Sequence, residues 1–183
     1  MGASGNAFGL GHLRRAGRRS KKATRPCPCG YLGDASGQCR CTPDQVVRYR
    51  GRISGPLLDR IDLQIFVPRI ARGDLIGARV PSAERSAEVR ARVERARERQ
   101  HARQKKPNAR LTTRELEQNC AIDAAGRRLV EAAFGRLSLS ARAYHRVLKV
   151  ARTIADLAGV EAIASAHLAE SIRYRELERA AQP

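Results

Sequence analysis

Two Cys-x-Cys pairs, Cys27/Cys29 and Cys39/Cys41, constrain this chain more than any other feature. The loop between them, residues 30 to 38, carries Gly30, Gly33 and Gly37, so four thiols can converge if it folds back on itself. Four convergent thiols are the stoichiometry of a closed tetrahedral zinc site, in which thiolates neutralise and enclose the ion. The spacing is not the common Cys-x2-Cys, and free or disulfide-bonded thiols are the alternative. No secretory-signal pattern occurs in the sequence, so a reducing, cytoplasmic setting is expected, which weighs against disulfides. Cys120 is remote from these pairs and reads as a small buried residue.

After Cys41, Thr42-Pro43-Asp44-Gln45 spells a helix start. Thr42 is the N-cap, Pro43 takes the first helical position and Gln45 completes a capping box. The helix is expected to stop near Gly51. Further on, Leu63, Ile65 and Val67 alternate with Gln64 and Phe66 up to Pro68, the pattern of a strand with one better-buried face. Between helix and strand lies Arg60, set among Leu57, Leu58 and Ile61 and flanked by Asp59 and Asp62. Composition alone reads Arg60 as a surface residue salt-bridged to one of those aspartates.

Of the 183 residues, 36 are Lys or Arg and 18 are Asp or Glu, a formal net charge of +18. Such an excess makes nucleic acid the expected macromolecular partner, although an arginine-rich solvated surface has the same composition. Aromatic residues are only 4% of the chain and Trp is absent, so any core rests on Leu, Ile, Val and Ala. Residues 1–24 are Gly-rich and then basic, with no acidic residue and no apolar periodicity, and read as a disordered tail. No apolar run approaches the length of a membrane span.

Residues 81–106 read as a long charged helix, with Ser82 as N-cap, Glu84 in the first turn and a thin stripe of Val89, Val93 and Ala96. Glu88 and Arg92 stand at helical i,i+4 spacing. Such a helix either bridges subdomains in solvent or follows a nucleic-acid backbone. Residues 107–183 then spell several short helices. Thr112 and Glu115 form a capping box, Asp123 caps a helix with Leu129, Val130, Ala133, Phe134 and Leu137 on one face, and Ser140 caps the most amphipathic stretch. That stretch carries Tyr144, Val147, Leu148, Ala151, Ile154, Ala155 and Ala158 before Gly159, and Ser165 opens a last helix with Leu168 and Ile172 inward. Together they make a small bundle. Arg142 lies in the first turn after Ser140, where the helix dipole disfavours a cation, and on its own reads as exposed. His101, His145 and His167 have no catalytic or metal-ligand partners at suitable spacing and read as packing or surface residues.

The runs PCPCGYLGD, CRCTPDQVVRYRGRISGPLLDRIDL, LSLSARAYHRVLKVARTIADLAG and HLAESIRYRELER resemble the C-terminal part of the ComM (YifB-like) family of magnesium-chelatase-like AAA+ ATPases. The likeness runs from about residue 24 to about residue 179. It implies a mixed α/β, mostly helical fold: the remnant of a AAA+ core with a four-cysteine zinc-type loop over residues 25–80, followed by a helical-bundle lid. It also implies ATP and magnesium as cofactors of the complete family, ATP-driven remodelling or branch migration of DNA, a role in competence, and a homo-oligomeric ring. Arg60, in LLDRID, corresponds to the arginine finger, and Arg142, in LSARA, to the lid arginine that meets the nucleotide's γ-phosphate; a phosphate at a helix start suits both its place and its charge.

Two departures accompany the likeness. The chain contains no G-x-x-x-x-G-K-[ST] phosphate loop and no acidic metal-binding strand, and Arg25 stands where the family pattern has an Asn. The expectation is therefore a C-terminal fragment that hydrolyses no ATP alone. The alternative is a non-enzymatic, zinc-binding basic module that contacts nucleic acid.

Overall fold

The structure, a computed structural model, describes residues 25–34, 36–65, 67, 84–137 and 140–175. The expected basic tail of residues 1–24, the Ser82 cap, Phe66, Pro68 and the side chain of Leu137 lie outside the described residues. The chain divides into two compact units between Ile53 and Ser54.

The first unit is a cysteine-bearing loop followed by helix α1, Pro43–Arg50. The capping box forms as the sequence implies: the Gln45 backbone N–H donates to Thr42 Oγ1 at 3.3 Å and the Thr42 N–H to Gln45 Oε1 at 3.1 Å. Helix α1 ends at Gly51, whose N–H donates to the Val47 carbonyl at 2.9 Å.

The second unit is helical: α2 Gly55–Asp59, α3 Ser86–Gln104, a 3-10 turn Asn108–Arg110, α4 Thr113–Asn119, α5 Ala124–Leu137, α6 Ala141–Ala158 and α7 Ser165–Arg173. Helix α6 is the centre, with α3, α4, the 3-10 turn and α7 packed on it, while α5 packs on α7. The caps follow the sequence. Thr112 and Glu115 close α4, the Gly126 N–H donates to Asp123 Oδ1 at 2.7 Å at the start of α5, and Ser140 Oγ accepts from the Ala143 N–H at 3.1 Å at the start of α6. The core is aliphatic: Val130, Ala133, Val147, Leu148, Ala151, Ala155, Leu168 and Ile172 are all buried, and Cys120 among them is 3% exposed. Burial pushes the Cys120 thiol up to about 11, so it stays protonated and packs as a small apolar group. Of the expected α6 stripe only Ala158 faces solvent.

Three expectations are corrected. The alternating segment at Leu63–Val67 is not a strand, and among the described residues there is no β-ladder beyond a single parallel bridge, Ile122 to Ile163. Its polarity is also inverted, because Leu63, Ile65 and Val67 are 48%, 64% and 68% exposed while Gln64 is buried. The Gln64 N–H donates to the Tyr174 carbonyl at 2.7 Å, which fixes that side inward. A strand's apolar face needs neighbouring strands to bury it, and none lies beside it among the described residues. The mostly helical character expected of the chain is what the described residues show. The long helix starts at Ser86 with Arg85 in the cap position, three residues beyond the expected Ser82, and Glu88 is not the partner of Arg92. The Glu88 carboxylate instead accepts from the Arg85 N–H at 3.1 Å, while Arg92 makes a two-pronged bond to Glu84 at 2.6 and 3.0 Å. An acidic group serves better on the bare N–H groups of a helix start than on an exposed i,i+4 pair.

Between α3, the 3-10 turn and α6 lies a polar layer. Asp156, 2% exposed, accepts two bonds from Arg103 at 2.8 and 2.9 Å and one from Asn108 Nδ2 at 2.8 Å. It also pairs with Arg152 at 3.1 Å. The Asn108 N–H donates to Gln100 Oε1 at 3.0 Å. Here α3 meets the bundle through Ala96, Gln100 and Arg103, so the charged helix is seated by buried polar bonds more than by its valines; Val93 is 38% exposed.

Candidate metal centre and exposed arginines

The loop after Arg25 turns back as its glycines permit. Gly30, Gly33 and Gly37 adopt φ of 82°, 80° and 64°, a region costly for residues with a Cβ. The Gly30 N–H donates to the Cys27 carbonyl at 3.1 Å, the Asp34 N–H to the Tyr31 carbonyl at 3.1 Å and the Ser36 N–H to Asp34 Oδ1 at 2.8 Å. Arg50 Nε, from the end of α1, donates to the Pro26 carbonyl at 3.2 Å, tying the loop's entry to the helix that follows its exit.

These bonds bring the four sulfurs within 4.8 Å of one another. Cys27 Sγ lies 3.3 Å from Cys29 Sγ and 3.8 Å from Cys39 Sγ, and Cys29 and Cys39 are 3.6 Å apart. A zinc tetrahedron with bonds of about 2.3 Å has sulfur–sulfur edges of about 3.8 Å. The spacing thus fits one metal ion, and all four cysteines are free thiols. Disulfides, the alternative pairing, are not formed.

The four thiols also perturb one another's ionisation. The Tyr31 backbone N–H, then hydrogen bonds from Cys27 and Cys41, draw the Cys29 thiol down to about 6 against opposing desolvation. Cys41 is pushed up to about 12: the Cys29 backbone N–H favours its thiolate, but the Cys29 side chain, burial and Cys27 together outweigh it. Cys39 is also raised, because desolvation and the Cys29 and Cys27 side chains outweigh the Cys41 backbone N–H. Cys29 thus ionises ahead of Cys39 and Cys41, as close thiolates repel one another.

The second unit carries the two arginines singled out above. Arg60 caps the end of α2 and is exposed, and among the described residues nothing holds its guanidinium. The surface salt bridge read from composition is therefore absent. Asp59 accepts from Ser140 Oγ at 2.9 Å and lies 3.7 Å from Arg175 Nη2, while Asp62 is paired with Arg146. Arg142 is exposed in the first turn of α6, as read. The partners Ser140, Arg146 and Arg175 were missed from the sequence, since all lie more than seventy positions away along the chain; the unusual pairing of two aspartates around one arginine was the available signal. His167 proves to be a local cap, its Nδ1 accepting from the Ala164 N–H at 3.1 Å.

Residues 83–175 match the family described as magnesium chelatase, subunit ChlI C-terminal, and residues 20–75 match magnesium chelatase, subunit ChlI. Similar proteins include the competence protein ComM of Haemophilus influenzae, 44% identical over 162 residues, which cover 87% of this chain and 31% of that protein. The protein YifB of Escherichia coli is 44% identical over 158 residues, covering 86% of this chain and 30% of the relative. A protein of Mycobacterium tuberculosis is 32% identical over 158 residues, covering 84% and 30%. The chain belongs to the magnesium-chelatase-like family, in its ComM/YifB-like branch, and corresponds to the C-terminal part of these proteins. It spans about three tenths of the length of the curated relatives it matches. No helix among the described residues is long and apolar enough to cross a membrane.

Proposed function

We propose that this chain is the finger-and-lid part of a cytoplasmic AAA+ ATPase that remodels DNA, by branch migration, as a homo-oligomeric ring, in the context of competence. What supports the reading is one observation within a known family: Arg60 is exposed with no partner among the described residues, although two carboxylates flank it. An unpaired guanidinium is suited to the γ-phosphate of ATP bound by a neighbouring subunit, where a planar, permanently charged fork stabilises the transferring phosphoryl group. Arg142, at the positive end of α6, is suited to the same class of ligand from the lid of a subunit. ATP and magnesium would be held by the nucleotide-binding core of the complete protein. Cys27, Cys29, Cys39 and Cys41 would hold a structural zinc ion, whose contribution is to fix the loop before α1. The net charge of +18 suits contact with a phosphate backbone.

The test is to fuse the N-terminal part of a related family member ahead of Pro26 and compare ATP hydrolysis with that of its Arg60→Ala variant. The reading predicts nucleotide binding nearly unchanged and turnover reduced by about 10³-fold or more, the scale of an arginine finger. Equal turnover in both fusions contradicts it.

A further inference from the structure

The two carboxylates beside Arg60 are held away from it by the helical bundle. From the start of α6, Ser140 Oγ donates to Asp59 Oδ1 at 2.9 Å. One turn further along, Arg146 pairs with Asp62. Just beyond α7, Arg175, 1% exposed, approaches Asp59 at 3.7 Å and donates from Nη1 to the Ile61 carbonyl at 3.0 Å. The Gln64 N–H donates to the Tyr174 carbonyl at 2.7 Å. Residues 59, 61, 62 and 64 are therefore each fastened to the bundle, and Arg60, in their midst, is not.

We propose that Arg146 and Arg175, with Ser140, are positioning residues for Arg60: they capture Asp59 and Asp62, which would otherwise neutralise it, and fix the backbone on either side. The inference deepens the finger reading and rests on it for its consequence in catalysis. The clamp itself is a separate, directly measurable property. Adjacent opposite charges in a flexible turn pair with each other at small entropic cost, so a free Arg60 between two free aspartates would spend much of its time bound to one of them. The bundle supplies stronger claimants. Arg175 is buried and anchored on the Ile61 carbonyl, and a guanidinium screened from water attracts a nearby carboxylate more strongly than an exposed one can. Ser140 also joins the two exposed arginines structurally, because it caps the helix whose first turn carries Arg142 while it binds the carboxylate that precedes Arg60. The Asp59 charge is thereby placed at the positive end of α6, where it is favoured.

The experiment labels the full 183-residue chain with phenylglyoxal and follows each arginine by peptide mass spectrometry. In Arg146→Ala the freed Asp62 should capture Arg60 and slow its labelling about two- to fivefold, the factor that an exposed ion pair supports. In Asp62→Asn/Arg146→Ala, which has no carboxylate left to capture it there, labelling should return to the original rate. Arg175→Gln should slow Arg60 through Asp59; if it does not fold, the Arg146 series decides alone. Unchanged Arg60 labelling in Arg146→Ala, or slowed labelling that persists in the double variant, overturns the clamp, since a merely structural role for the pair predicts no recovery. In the fusion ATPase, Arg146→Ala should lower kcat with little change in KM. If Arg60→Ala leaves fusion turnover intact while the labelling pattern holds, the finger reading fails and the clamp stands.

Discussion

Replacing Asp156 by Ala should destabilise the helical unit more than any single truncation in its aliphatic core of similar size. The carboxylate receives two bonds from Arg103, one from Asn108 and an ion pair from Arg152. Its loss strands the two guanidinium groups unequally. The Arg103 side chain is 26% exposed and can turn to water, whereas that of Arg152 is 4% exposed and keeps only the Val160 and Glu161 carbonyls. Breaking a buried pair by removing one partner costs about 3–5 kcal/mol, and the escape open to Arg103 places this case near the lower end. With a urea dependence of about 2 kcal/mol per M for a unit of this size, the midpoint should fall by about 1.5 M. The assay is equilibrium urea unfolding followed by circular dichroism.

The pH dependence supplies a second check. Burial works to raise the Asp156 carboxyl, but Arg103, Asn108 and Arg152 outweigh it and hold the carboxyl below its ordinary value. A depressed folded value stabilises above the unfolded one of about 3.9, and the contribution disappears as pH falls through the folded value. The gap between wild type and Asp156→Ala should therefore be constant from about pH 5 to 8 and close below about pH 4. A midpoint shift under about 0.5 M at neutral pH, or a gap that does not narrow in acid, would refute the reasoning.

Zinc affinity should rise about a hundredfold or more per pH unit near neutrality, because Cys39 and Cys41, both raised, must each release a proton on binding; competition with a chelator at two pH values measures it, and Cys39→Ser should lose stoichiometric metal. DNA binding should be independent of sequence and fall steeply with salt, and removing residues 1–24, which carry Arg14, Arg15, Arg18, Arg19, Lys21 and Lys22, should make the log–log salt slope shallower; an unchanged slope would remove the tail from the interface. Gly126→Ala should lower the unfolding midpoint, since a Cβ there would lie 2.7 Å from Leu168 Cδ1 in the core. The overpacking cost of about 1–3 kcal/mol exceeds the roughly 1 kcal/mol gained in helix propensity, and a raised midpoint would contradict that balance.

What could be read from the sequence was whatever is decided locally. Thr42 with Gln45, Thr112 with Glu115, Asp123, Ser140 and Gly159 each settle a helix end through neighbours within a few residues, and each stands where its pattern put it. The cysteine cluster was legible because loop glycines and paired thiols are local as well. The Leu63–Val67 segment failed for the opposite reason: alternation gives a strand only if partners cover it, and the described residues offer Gln64 a bond to Tyr174 instead. The same distance in sequence concealed the partners of Asp59 and Asp62. Local charge balance assigned Arg60 to its own neighbours, but tertiary packing gives those neighbours to Ser140, Arg146 and Arg175.

The most direct test of Arg60's role is a mixing experiment with the fusion ATPase. One fusion carries Arg60→Ala and binds ATP; the other keeps Arg60 but cannot bind ATP. Each alone should be inactive, and mixed rings should recover part of the activity if, as proposed, Arg60 of one subunit reaches the nucleotide of its neighbour. Mixed rings that form, shown by co-purification of differently tagged fusions, yet recover no hydrolysis would contradict the account.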